Sequence, residues 1–176
     1  MQTAVSRMGR VVSHQGGSHV TGHTRPSVVG DIIPVAIAMR EEDRAEVRAG
    51  CGQTPTEALL FCYFKGAPCM TMIGRRGQPV GMWGVIDQGD GLGRIWLLAT
   101  DELVKDKPNS IQFLRQAKPW LKTMLEQYDV LFNYADARNE VHVKWLRWMG
   151  FTFIAKHSNY GHEGRLFLEF AKVSHV

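Results

Sequence analysis

His142 carries a titratable imidazole with Leu146 four residues on and Met149 seven residues on, a spacing that sets all three on one face of a helix over Asn139–Met149. On that face the imidazole either does acid–base work in a cleft or holds a structural hydrogen bond. Val141, Trp145 and Trp148 form a second apolar stripe on the same helix, read as core against a sheet or, where exposed, as a partner surface. Two carboxylates, Asp101 and Glu102, directly follow an apolar stretch that ends at Thr100. A general base must take a proton from a reacting group, and Glu102 beside a strand end is placed for that; solvated loop carboxylates are the plainer reading.

Thiol and metal chemistry have less to work with. Cys51, Cys62 and Cys69 are odd in number and lack metal-ligand spacing, and they read as reduced structural thiols of a cytosolic compartment. His14, His19 and His23 are scattered through a Ser-, Gly- and Thr-rich stretch, so no metal site is expected. The chain has no G-x-x-x-x-G-K-[ST] loop, G-x-S-x-G elbow, H-E-x-x-H pair or paired C-x-x-C, which leaves nucleotide-loop, serine-hydrolase and zinc readings without support.

These residues need a scaffold, and 176 residues with 44% apolar and 22% charged composition suffice for one globular domain. The net charge is +4, but residues 1–30 supply three Arg and no acid, so residues 31–176 stand near +1. Basicity is a tail property, and the folded body offers no phosphate footprint for nucleic acid. No apolar run approaches a membrane span. Residues 1–30 read as a flexible tail and 31–176 as a single domain.

Within that domain the elements alternate. Ile33–Met39 reads as a short apolar strand, and Glu41–Ala49 as a charged helix closed by Gly50. Thr54-Pro55-Thr56-Glu57 is a capping box with Pro at the first helical position, opening a helix that stops at Gly66. Cys69–Gly74, Gln78–Asp87 and Arg94–Thr100, separated by glycine-rich turns, predict an antiparallel meander. Ser110–Tyr128 has a helical period that Pro119 should kink or split. Val130–Ala135 is a strand, Asn139–Met149 a helix ending at Gly150, and Phe151–Lys156 with Leu166–Val173 a hairpin.

That order, closing on Asn139-x-x-His142-x-x-x-Leu146-x-x-x-Gly150-Phe151, resembles the Gcn5-related N-acetyltransferase (GNAT) superfamily, whose late helix reads N-x-x-A-x-x-x-Y-x-x-x-G-F. The resemblance covers roughly Ile32 to Val173 and rests on Asn139, Gly150 and Phe151. The run Met124-Leu125-Glu126-Gln127-Tyr128-Asp129-Val130-Leu131-Phe132-Asn133-Tyr134, followed by Asn139-x-x-His142-Val143-Lys144-Trp145-Leu146, is similar to the small internal virion (head morphogenesis) proteins of short-tailed bacteriophages. The implied fold is a mixed α/β (α+β) domain, a largely antiparallel sheet of six to seven strands with helices on both faces.

The resemblance also implies a cofactor, acetyl-coenzyme A. Its contacts would come from the strand end Leu98, Ala99 and Thr100, from Lys105, Lys107, Asn109 and Ser110, and from Asn139. Two departures weaken this. The segment Thr100–Ser110 has no Gly where active members carry Q/R-x-x-G-x-G/A to cradle the pyrophosphate, and Asp101, Glu102 and Asp106 add negative charge there. Leu146 stands where the family places the Tyr that protonates the departing thiolate, leaving Tyr134 and Tyr160 as the nearby hydroxyls. The expectation is a phage-encoded protein of the infected bacterial cytoplasm or the virion, a virion-associated or morphogenesis protein acting through protein contacts and carrying a degenerate acetyl-coenzyme A site. An active N-acetyltransferase and a host-directed inhibitor that binds a bacterial protein are the alternatives.

Overall fold

The structure, a computed structural model, describes residues 23–174. His14 and His19 lie outside the described residues. Seven strands form one sheet in the order β1-β2-β3-β4-β5-β7-β6: β1 His23–Pro26, β2 Gly66–Ile73, β3 Pro79–Asp87, β4 Leu92–Ala99, β5 Val130–Asp136, β6 Thr152–Tyr160 and β7 Arg165–Val173. Every neighbouring pair is antiparallel except β4 with β5. The meander and the terminal hairpin stand where the turn signals put them.

Six helices flank the sheet: α1 Ile32–Ala38, α2 Glu41–Cys51, α3 Pro55–Lys65, α4 Asp101–Lys105, α5 Lys107–Leu125 and α6 Glu140–Trp148. One face carries α4, α5 and α6, where Leu103, Leu121, Met124 and Leu146 pack with Val85, Leu131 and Phe170. The other carries α1 and α3, which bury Ile32, Val35 and Leu59 against Met82 and Leu98.

Several expectations need correction. The apolar run Ile33–Met39 is not a strand: α1 buries Ile32, Val35 and Ala36 at helical spacing, with Met39 buried just past its end, and leaves Ile33 and Ile37 in water. Pro34 sits in its first turn, where a missing N–H costs nothing. Arg44 of α2 closes the other end, donating to the carbonyls of Ala36 and Ile37 and, at 2.8 Å, of Met39.

Part of the stretch read as tail is folded. His23–Pro26 is the edge strand β1, and Arg25 makes a two-pronged contact with buried Asp31 at 2.7 Å. Gly52 at φ 68°, not Gly50, takes the left-handed position after α2. Pro119 does not split α5, which runs unbroken from Lys107 to Leu125 with Pro119 on its exposed face. The segment read as a loop after Thr100 forms α4 and the start of α5.

Candidate functional site: a cavity where two strands part

β4 and β5 pair only at Leu92–Val130, Gly93–Leu131 and Arg94–Phe132, then separate. The Asn133 side chain closes the base of the gap, its Nδ2 donating to the Ile95 carbonyl at 2.7 Å and its Oδ1 accepting from Arg94 Nε at 3.0 Å. Beyond that point a cavity of about 320 Å³ opens, with walls from both faces of the sheet. Trp83, Phe113, Trp120 and Trp145 line it on the α5–α6 side, and Ala58, Cys62 and Trp96 on the α3 side. Phe113 and Trp145 stack at 5.5 Å. Trp145 is therefore a cavity wall, while Val141 and Trp148 stand half exposed; the stripe read as core is core only in part.

At the far end of β4 the chain fills the gap with its own atoms. Thr100 N–H donates to the Val80 carbonyl on the β3 side, so by antiparallel alternation Ala99 turns its backbone groups away from β3 and toward the gap. There the Ala99 carbonyl accepts from Arg40 N–H and the Ala99 N–H donates to Asp43 Oδ2, both at 3.0 Å. Asp43 belongs to a buried polar group with Arg40, Glu46, Asn139 and His142. Asn139 caps α6 by accepting from His142 N–H, accepts from Arg40, and donates to Asp43 and Glu46.

His142 lies 3.6 Å from Glu46 with its side chain 16% exposed. Burial disfavours its charge, but Glu46 and then Asp43 outweigh burial and Arg40, and its pKa rises above the ordinary imidazole value of 6.5. Burial pushes the Asp43 carboxyl up against the pull of Arg40. A raised imidazole pKa stabilises the fold fully below 6.5, and that contribution fades as pH climbs through the folded-state value. The stability gap between the natural protein and His142→Gln should therefore narrow as pH rises above 6.5 in urea titrations. A gap that stays constant or widens would sink the ion-pair assignment.

The cavity brings together only some of the residues singled out from the sequence. His142, Tyr134 and Leu98 line it, as does Leu146. Tyr134 stacks on Tyr160 at 4.6 Å, and burial with nearby Glu169 pushes its hydroxyl pKa up. Asn139 holds the polar group beside it. Glu102 does not face the cavity: it accepts from Arg76, Gln78 and Asn109, tying α4 to the β2–β3 turn and the start of α5. Lys105 pairs with Asp101, Asn109 is buried, and Ser110 donates to the Lys107 carbonyl. Lys107 opens α5, and none of these four residues lines the cavity. Sequence reasoning missed Arg40, Asp43, Glu46, Arg94 and Asn133; the only trace was the i, i+3 spacing of Asp43 and Glu46.

The sequence profile of the family described as bacteriophage T7, probable scaffold protein Gp13, matches residues 70–158. A search of curated protein sequences gives no match. Among solved structures, the chain is similar to Ard1 from Thermoplasma volcanium (TM-score 0.63, 15% identity, covering 88% of this chain and 98% of that one). It is also similar to a GNAT-family acetyltransferase from Bacillus anthracis (TM-score 0.65, 10% identity, 89% and 96%). A third is spermidine N-acetyltransferase from Vibrio cholerae in complex with CoA and spermine (TM-score 0.63, 12% identity, 88% and 96%). With a sheet that parts between its fourth and fifth strands and a profile match over half its length, the chain has the GNAT acetyltransferase fold and belongs to the family of the bacteriophage T7 probable scaffold protein Gp13.

Proposed function

We propose that this chain is a phage assembly protein acting through protein contacts, built on a GNAT fold whose acetyl-coenzyme A site is too degenerate for efficient acetyl transfer. The observation that carries the reading is the self-occupied strand end: Ala99 spends its gap-facing N–H and carbonyl on Asp43 and Arg40. Two features support it. The first turn of α4 presents Asp101 and Glu102 where a pyrophosphate would need N–H donors. Leu146, 2% exposed, offers no proton to a departing thiolate. The residues at the strand end thus do not fit the cofactor.

Calorimetry with acetyl-coenzyme A at about 1 mM should show no heat, and the melting temperature should not move. Leu146→Tyr should not create turnover, since the missing general acid, worth about 10²–10⁴-fold, is only one of the deficits. Turnover near about 1 per second in the unmodified protein would overturn the degenerate-site half of the reading. For the assembly half, the chain should be found by mass spectrometry in purified particles or assembly intermediates; its absence from both would overturn that half. The active-transferase reading has one observation in its favour, His142 and Tyr134 on a single cavity, and the acetyl-coenzyme A titration decides it.

A further inference from the structure

We propose that the cavity between β4 and β5 binds a small amphipathic carboxylate, a molecule with a flat apolar body and one anionic end that docks on Arg94. The proposal starts from a mismatch in the polar atoms of the wall. Glu46 is matched by Asn139 and His142. Glu169, behind Tyr134, is matched by His157 at 2.8 Å. What is left over is donors. Arg94, half-buried on the wall, is anchored through Nε by Asn133, and among the described residues no carboxylate lies within 4.0 Å of its guanidinium nitrogens.

A planar guanidinium fixed at Nε presents its two terminal nitrogens as a fork, the geometry that takes a carboxylate at two points. The rest of the wall is aromatic, and about 320 Å³ lies at the lower end of the range of ligand cavities, which suits a compact flat body. The same wall disfavours an ammonium ligand, since Arg94 repels it and no carboxylate stands free to receive it. The inference is independent of the assembly role and adds a ligand class to the site.

The test is calorimetry on the full chain with three probes of one shape: naphthoate, naphthamide and naphthylmethylamine. Naphthoate should bind at least about tenfold more tightly than naphthamide, with the amine weakest. Arg94→Gln should bring naphthoate down to the affinity of naphthamide and leave naphthamide unchanged. Arg94→Lys, which keeps the charge and loses the fork, should fall between and serves if the Gln variant does not fold. Equal affinity for acid and amide, preference for the amine, or no heat with any probe would overturn the proposal. Acetyl-coenzyme A that binds and displaces naphthoate would overturn the degenerate-site reading and leave the carboxylate site standing.

Discussion

Asp43→Ala should destabilise the protein by about 3–5 kcal/mol, the cost of removing one partner from a buried charge pair. Arg40 and Asp43 are each 7% exposed and Asn139 2%, so water cannot replace what the carboxylate supplies. The substitution strands the Ala99 N–H and one Asn139 donor, and leaves the buried Arg40 guanidinium with only Glu42, at 3.5 Å and half exposed, as a carboxylate partner. For a chain of this size, 1 kcal/mol moves the melting temperature by roughly 2–4 °C, so a fall of about 10 °C is expected. The double variant Arg40→Met/Asp43→Leu removes both charges and fills the space, and it should recover part of the loss. A double variant less stable than Asp43→Ala would show that the pair contributes more than the relief of a stranded charge.

Gly161→Ala should cost about 2–4 kcal/mol, from a left-handed backbone and a backbone collision added together. Gly161, at φ 69°, lies in the β6–β7 turn, which closes over the end of α2: His162 N–H donates to the Gly50 carbonyl and Glu163 N–H to the Ala49 carbonyl. A Cβ at Gly161 would fall 2.5 Å from the Ala49 oxygen and 2.6 Å from the Gly50 oxygen. Both are main-chain atoms of a helix and cannot swing aside. Gly164 provides the control, at φ 60° with its nearest neighbour, at 2.5 Å, the movable side-chain oxygen of Asn159. Gly164→Ala should therefore cost about 1–2 kcal/mol, the backbone share alone. Equal losses in urea unfolding would mean that the collision contributes nothing.

What was legible in the sequence was written locally. The Thr54 cap accepts from Glu57 N–H while the Glu57 carboxylate accepts from Thr54 N–H, and the four residues that announce it are consecutive. Asn139 before α6 and the glycine turns of the meander are signals of the same kind. α1 was misread because an apolar run of seven residues fits strand and helix alike. What decides for helix is Arg44, a cap lent by the following helix.

The site was less legible for the same physical reason. Glu41–Glu46 looks like a solvated charged face, and nothing nearby says that Asp43 is buried; its partner Asn139 is 96 residues away. Conversely, Glu102 looked poised for chemistry because the residues that occupy it, Arg76 and Gln78, come from a turn on another strand pair.

The short parallel joint between β4 and β5 also decides how the sheet responds to load. Among the described residues, three residue pairs, the Asn133 amide and the Gly91 carbonyl, which accepts from Asp129 and Val130 N–H, fasten the β1–β4 plate to the β5–β7–β6 plate within the sheet. Each plate is an antiparallel unit with far longer ladders of its own. Tension across the sheet therefore concentrates on one fracture line, and whatever occupies the cavity just above it acts as a rivet, joining the plates where the backbone does not.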